Sequence, residues 1–416
     1  MESASETMMK KLAALIIIGS ALFCTRCAGQ GPAPPPVSKP WSARIAQSFL
    51  LRHPDARMSD TGSVGRKWNY EQGLMLVSLL KMWQHTGDRR YFEFVRANLD
   101  LFVDESGKIR TYALSDHNLD NISPGRAILS LYEETHQEKF RAASDTLRQQ
   151  LRGQPRTHER GFWHKKIYPN QMWLDGLFMA EPFYARYAAM FGDTAAFDDI
   201  AGQFTQIARH TTDPKTGLLF HAWDESKQER WASPQTGCSP SLWGRAIGWY
   251  AMGLVDVLDD FPKNHPRRDE LISLLGHVAG AVARFRDEKS GLWYQVVDQG
   301  EKPGNYLETS ASCMFAYVFA KGARMGYLDK KFLALARESF DGIVRLETSL
   351  DDQRFLDLNG TCGATGLGGT PYRDGSFAYY TGLPRRTNDL RGLGAFLLAA
   401  IELEDASPAS TKVEGQ

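Results

Sequence analysis

From Trp41 onward the apolar residues recur mostly at spacings of three and four, the period of one helix face, and alternating strand-like runs are few. That pattern predicts twelve helices, near residues 41–53, 70–86, 88–104, 120–136, 137–152, 172–191, 194–212, 241–261, 267–286, 306–326, 329–347 and 388–404. The connections between them fall into two kinds. Thr86-Gly87-Asp88, Phe191-Gly192-Asp193 and Met325-Gly326-Tyr327-Leu328-Asp329 are tight, each with Gly placed to end one helix and Asp to cap the next. Asp104-Glu-Ser-Gly107, Asp213-Pro-Lys-Thr-Gly217 and Asp287-Glu-Lys-Ser-Gly291 read as turns leading into short β excursions. A helical hairpin repeated about every fifty to seventy residues predicts an array or a closed ring. Six hairpins closing on themselves make an all-α (α/α)6 barrel, with an open solenoid as the alternative. Aromatic and charged residues gather at the starts of every second helix, which favours a funnel at one end of a ring.

Ahead of the helices, Lys10 and Lys11 precede an apolar run from Leu12 to Phe23, then Cys24, Cys27 and Ala28. A basic start and an apolar run too short to span a bilayer comfortably predict a secretory signal over 1–28, with a membrane anchor as the alternative. Cys24 or Cys27 is the lipidated residue if the signal is of the lipoprotein kind, although Phe23 and Arg26 before them are not the small residues such sites prefer. Gly29 to Pro40, with five prolines, reads as a flexible tether, 41–405 as one domain and 406–416 as a disordered tail.

The 416 residues are 43% hydrophobic, enough for one large core or two small ones. Forty-nine basic and 49 acidic residues leave no case for nucleic acid or a membrane surface as partner. Cys238, Cys313 and Cys362, odd in number and widely spaced, argue against a disulfide framework and against a zinc site. Whether Cys238 and Cys362, both in Gly-rich loops, pair with each other stays open.

Chemistry enters at residues 161–181, where Asp175 opens a helix among Trp163, Trp173 and Phe178. A carboxylate there is solvated, paired or functional, and burial among indoles raises the pKa of such a group, as an acid catalyst requires. Three further inner-helix starts carry unusual polar residues: Trp68-Asn-Tyr70-Glu71, Asp116-His-Asn-Leu-Asp120-Asn121, and Leu242-Trp243-Gly-Arg245-Ala-Ile-Gly248-Trp249-Tyr250. Asp120 has an alternative reading as an ordinary N-cap. Arg245 and Trp249, four apart, share a helix face beside Gly244 and Gly248. A guanidinium between indoles suits a carboxylated sugar; a helix contact made by small residues, with Arg245 in a structural ion pair, is the alternative. His221 ends one β excursion, and the Gly-rich stretch 359–376 lacks the Gly-Lys-Ser/Thr ending of a phosphate loop, reading instead as a flexible rim over a pocket. Two acids, an Arg, a His and several Trp on converging loops fit carbohydrate acid–base chemistry, with no metal or cofactor expected.

The runs Leu119-Asp-Asn-Ile-Ser-Pro-Gly125, Tyr168-Pro-Asn-Gln-Met-Trp-Leu-Asp-Gly-Leu-Phe-Met-Ala180, Leu242–Tyr250, Glu308-Thr-Ser-Ala-Ser312 and Gly366–Gly375 together resemble the unsaturated rhamnogalacturonyl hydrolases of glycoside hydrolase family 105. These are relatives of the family 88 unsaturated glucuronyl hydrolases. The resemblance covers roughly 41–405 and implies an (α/α)6 barrel acting on lyase-generated pectin fragments whose terminal uronic acid carries a C4=C5 double bond. It implies that Asp175 protonates C4 while water adds at C5, with Asp120 helping to hold that proton or orient the water. Two such acids in one pocket would share a proton near neutral pH. Tyr70, Lys165, Trp173, His221, Trp243, Arg245 and Trp249 match the family's substrate-contacting positions. The partner implied is an unsaturated uronyl oligosaccharide, and the signal adds a periplasmic or envelope-anchored location, the membrane being touched only through the signal or a lipid. Three rivals remain at this stage: a glucuronyl hydrolase for glycosaminoglycan- or ulvan-type fragments, a polysaccharide lyase, and a sugar-binding protein.

Overall fold

The computed structural model describes residues 39–58 and 67–407. The expected signal, nearly all of the tether and most of the tail lie outside the described residues.

All twelve predicted helices are present: α1 (Trp41–Arg52), α2 (Tyr70–Thr86), α3 (Arg89–Asp100), α4 (Gly125–Thr135), α5 (Glu138–Gly153), α6 (Leu174–Phe191), α7 (Ala196–Thr211), α8 (Gly244–Asp260), α9 (Arg268–Ala283), α10 (Thr309–Arg324) and α11 (Lys331–Glu347), with the short α12 (Phe377–Thr381) intervening before the last, α13 (Leu390–Asp405). Three two-stranded antiparallel sheets decorate them: β1 (Gln171–Trp173) with β2 (Ala222–Asp224), β3 (Thr348–Leu350) with β4 (Leu356–Leu358), and β5 (Thr361–Cys362) with β6 (Arg385–Arg386).

Helices α2, α4, α6, α8, α10 and α13 pack each on the next, and α13 returns to α2. That closure makes a barrel of the array and excludes the open solenoid. The sixth hairpin is assembled from the two ends of the domain, α13 and α1, where Ser42 donates from its N–H and Oγ to Glu404 at 3.1 and 2.5 Å. Inner helices α6, α8, α10 and α13 are buried almost all round, whereas outer helices such as α3, α5, α7 and α11 alternate buried and exposed positions, as an amphipathic outer ring requires. Close approach within the inner ring depends on two glycines. A Cβ on Gly73 would lie 2.7 Å from Pro124 N, and one on Gly248 would lie 2.7 Å from Met314 Sδ.

The punctuation behaves locally much as its chemistry predicts. Asn69 accepts from Gln72 N–H at 3.1 Å to start α2, Gly87 ends it in the left-handed region with φ 71°, and Asp88 caps α3. The Gly192-Asp193 copy differs. Gly192 ends α6 in the same way, but Asp193 pairs with Arg148 at 2.8 Å and does not cap α7. The third copy differs as well, with Met325 closing α10 in place of Gly326 and Lys330 opening α11 in place of Asp329. Asp104, Asp213 and Asp287 build one turn three times, each carboxylate accepting at 2.6 Å from a Ser or Thr hydroxyl two or three residues on. Helix α4 begins at Gly125 instead of 120. Pro124 occupies its N-cap, and Leu119–Asn121 form a separate tight turn ahead of it.

Candidate active site

Two backbone pairings bring the candidate acids to one end of the barrel. Strand β1 pairs with β2 so that Trp173 faces Ala222, and Leu174 N–H continues the ladder by donating to His221 O at 3.0 Å. This sets His221 beside Asp175 in the first turn of α6. Elsewhere Asn118 bridges Lys165, and Leu119 N–H donates to His164 O at 3.1 Å, which lays His164 and Lys165 against Asp120.

Asp175 Oδ2 lies 3.0 Å from His221 Nε2, misaligned for a hydrogen bond, so both atoms are buried without a hydrogen-bond partner. Burial works to raise the Asp175 pKa. The His221 imidazole, with His164 farther off, outweighs it, and the carboxyl of the free protein sits below the usual carboxylate range. The upward shift expected from burial among indoles is therefore corrected: the nearest groups are imidazoles.

Asp120 is not an N-cap. Its own N–H is bound by the Asn118 side chain, while its carboxylate meets Lys165 Nζ at 2.5 Å and His164 Nε2 at 3.4 Å. A lowered Asp175 carboxyl does not hold the proton it was expected to share with Asp120, and each acid faces nitrogen partners: His221 at Asp175, Lys165 and His164 at Asp120. His164, unremarked in the sequence reading, stands in electrostatic reach of both acids. Burial lowers its pKa to about 4, against the opposing pull of Asp120, so it is neutral near pH 7. Its only sequence signal was its place between Trp163 and Lys165.

The remaining candidates divide by access. Asp175, Asp120 and Lys165 keep 15%, 14% and 21% of their side-chain surface exposed, and Tyr70 is half-buried. The Tyr70 hydroxyl lies in electrostatic reach of Asp120, Arg245 and Arg391, tying the two halves of the site together. Trp173, His221, Trp243, Arg245 and Trp249 are buried and form the wall behind them. Trp173 is sandwiched between His164 and Tyr168, with ring centroids 4.6 and 4.9 Å away. Trp243 stacks on Tyr380 at 5.4 Å and carries the Arg245 guanidinium 4.7 Å from its ring. Trp249 packs on Phe178 at 4.7 Å and edge-on to Tyr70.

Arg245 does not offer a fork to a sugar carboxylate. Its Nη1 donates to Cys362 O at 2.7 Å and its Nη2 to Gly363 O at 2.7 Å and Thr365 Oγ1 at 3.0 Å, with 1% of the residue exposed. Gly248 serves the α8–α10 contact, as the structural alternative expected, but Arg245 is held by carbonyls and a hydroxyl and not in the ion pair that alternative included. The guanidinium instead pins the start of the Gly-rich stretch, which Arg373 holds farther along by donating to Gly368 O, Leu367 O and Tyr168 Oη. The loose rim expected there is a secured one. Arg245→Lys keeps the charge but not the planar set of donors. It is expected to lose about 1.5–3 kcal/mol of stability in urea unfolding and to speed proteolysis at 359–366; an unchanged midpoint would show that these bonds contribute nothing.

Arg391, also missed from the sequence, starts the sixth inner helix. It is bound to Asp389 at 2.5 Å and sits 3.4 Å from Glu71. Cys238, Cys313 and Cys362 are all free and buried, so Cys238 and Cys362 do not pair. Among the described residues no group of three or more His, Cys, Asp or Glu is arranged to hold a metal ion. The reachable part of the site thus offers two carboxylates, one ammonium and one phenol above a wall of imidazoles and indoles, an arrangement suited to binding an anionic sugar and moving protons.

Comparison with known proteins agrees. The model of Glycosyl Hydrolase Family 88 matches residues 41–407. A family 105 glycoside hydrolase from C. acetobutylicum ATCC 824 has a TM-score of 0.85 and 42% identity, covering 88% of this chain and 100% of that one. Protein Atu3128 of Agrobacterium fabrum is 37% identical over 230 residues, which are 54% of this chain and 97% of that protein. The unsaturated rhamnogalacturonyl hydrolase YesR of Bacillus subtilis is 26% identical over 276 residues, 64% of this chain and 75% of that protein. A closed (α/α)6 barrel with paired carboxylates at the starts of its inner helices, matched along its whole length, places the chain in glycosyl hydrolase family 88, among the enzymes of its family 105 branch.

Proposed function

We propose that the protein releases the unsaturated uronic acid from lyase-generated rhamnogalacturonan fragments by hydrating its C4=C5 double bond. The observation that carries this reading is the pair of separately partnered acids, Asp175 against His221 in the first turn of α6 and Asp120 against Lys165 in the turn ahead of α4. Lys165 is the accessible cation for the uronate carboxylate. A bound uronate sets a like charge near Asp175 and excludes water, and both effects raise the pKa of that carboxyl toward the protonated form the reaction needs. Asp175 then delivers its proton to C4. Water adds at C5, assisted by Asp120, and the hemiketal so formed opens and expels the neighbouring sugar. The rhamnogalacturonan class is supported by the likeness to YesR; a glucuronyl hydrolase of the same fold is the second reading, because the unsaturated ring is nearly common to both substrates.

The test is the absorbance of the conjugated double bond on a panel of lyase-generated disaccharides. Disappearance of the absorbance supports hydration, and the disaccharide consumed fastest names the second sugar. Absorbance that grows on a saturated polyuronide would instead identify a lyase, and binding without any change a sugar-binding protein. Export is part of the proposal, motivated by Lys10, Lys11 and the apolar run to Phe23. Cell fractionation checks it, with recovery in the cytoplasm at full length as the contrary result.

A further inference from the structure

We infer that Tyr380 sets the tautomer of His221, its hydroxyl donating to Nδ1 so that Nε2 carries the hydrogen facing Asp175. The inference deepens the proposed role of Asp175 as proton donor and rests on that reading for its catalytic consequence only. Tyr380 lies on α12, the one short helix that periodicity did not predict. It is fully buried, stacked on Trp243, and its backbone carbonyl is held by Gln295 Nε2 at 3.0 Å. Its hydroxyl lies 2.7 Å from His221 Nδ1, its only hydrogen-bond partner among the described residues.

Two proton arrangements of a neutral ring fit that contact. In one, Nδ1 donates to the phenol oxygen; the phenol hydrogen is then left buried without an acceptor, and Nε2 presents a lone pair to Asp175. In the other, the phenol donates to Nδ1, and the Nε2 hydrogen points toward the carboxylate 3.0 Å away. The second gives the phenol hydrogen its acceptor and sets opposite partial charges against each other at Nε2 and the carboxylate, so burial selects it. Burial also pushes the Tyr380 pKa far up, so the hydroxyl keeps its proton throughout.

The other groups facing this trio are His164, neutral near pH 7, Lys165, on the far side of Asp120, and Tyr379, Asp374 and Cys362 around Tyr380. In this arrangement His221 neither accepts nor supplies the transferred proton. Asp175 gives its proton to C4 as a C–H bond forms and the double bond's electron pair is consumed. The Nε2 hydrogen then stabilises the carboxylate left behind. Tyr380 is thus a positioning residue, acting through His221.

Nitrogen-15 NMR of labelled histidine reads the tautomer directly, with the His221 signals assigned by their loss in His221→Gln. The full-length protein should show an unprotonated Nδ1 and a protonated Nε2; the opposite tautomer, or a ring protonated at both nitrogens, overturns the inference. Tyr380→Phe keeps the ring stack and removes the hydroxyl, and its His221 signals should move toward a mixture. On an unsaturated uronyl disaccharide, the alkaline limb of kcat/KM should shift upward in that variant by about one pH unit, the scale of a changed polar neighbour beside a buried carboxylate. A limb and tautomer both unchanged in Tyr380→Phe would refute the assignment. Failure of the wild type to turn over any such disaccharide would refute the proposed function and leave the NMR result to decide the role of Tyr380.

Discussion

Asp175→Asn is expected to lower kcat on unsaturated uronyl disaccharides by roughly 10²–10⁴, the contribution a positioned general acid makes, with KM changed little. The amide fills the same volume in the first turn of α6 and leaves the wall of Trp173, His221 and Trp243 in place. What it lacks is a transferable proton. Loss of kcat with KM retained marks an interaction used in the transition state, whereas a parallel rise in KM would mark one used for binding. The experiment also separates the two acids. Asp120 is bound to Lys165, so replacing it frees an ammonium from its partner, and its loss should show in KM as well as kcat. An Asp175→Asn enzyme that turns over at the wild-type rate would remove Asp175 from the chemistry. Reaction of the wild type in heavy water should also place deuterium at C4, and a product without it would exclude protonation there.

The largest effect on stability is expected at the opposite ends of the inner helices. Asp256 of α8 is buried, accepting from Lys321 Nζ at 2.8 Å and Tyr317 Oη at 2.6 Å on α10, while its second oxygen lies 2.9 Å from Arg126 Nη2 on α4. These groups wall a polar cavity of about 450 Å3 that all six inner helices line. Asp256→Ala removes the anion shared by the part-buried Arg126 and the buried Lys321, which keeps only Asp259 at 2.7 Å, and should destabilise the protein by about 3–5 kcal/mol, the cost of breaking a buried pair from one side. Urea midpoints of the two proteins measure it.

Burial alone would raise the Asp256 pKa; Lys321 first and then Arg126 override it, and the folded-state value falls far below the usual 3.8. A depressed carboxyl contributes its stability above the unfolded pKa and loses it as pH falls toward the folded one. The gap between wild type and variant should therefore be constant through neutral pH and narrow only below about pH 4. A gap under about 1 kcal/mol would mean that the network behaves as an exposed ion pair does. Turnover by the folded fraction of Asp256→Ala should match wild type, because the substrate-facing acids lie at the other end of the barrel.

How much of this was legible beforehand depended on range along the chain. Helix positions follow from local periodicity, and the Gly and Asp at their ends act on neighbours two to four residues away, so twelve helices could be read directly, with Gly87, Asp88 and Gly192 among their ends. Asp193 shows the limit, since Arg148, which diverts it from capping, lies 45 residues off. Asp175 and Asp120 were legible as acids in apolar surroundings at inner-helix starts. The pKa direction of Asp175 and the nitrogen partners of both acids were not, because His164, Lys165 and His221 reach them only through pairings between loops.

Arg245 and Tyr380 mark the boundary most clearly. An arginine four residues from a tryptophan looks the same in sequence whether it faces a ligand or a carbonyl. The acceptors that occupy Arg245 sit 117 to 120 residues later in the chain. Tyr380 meets His221 across 159 residues, from a five-residue helix too short to carry a period. Periodicity and capping are local and cost little to form, so residue order alone settled the helices, their alternation and the presence of two acids. Hydrogen-bond partners across the barrel exist only once the ring has closed, and that closure determined which candidates face substrate, which hold the wall, and where the protons lie.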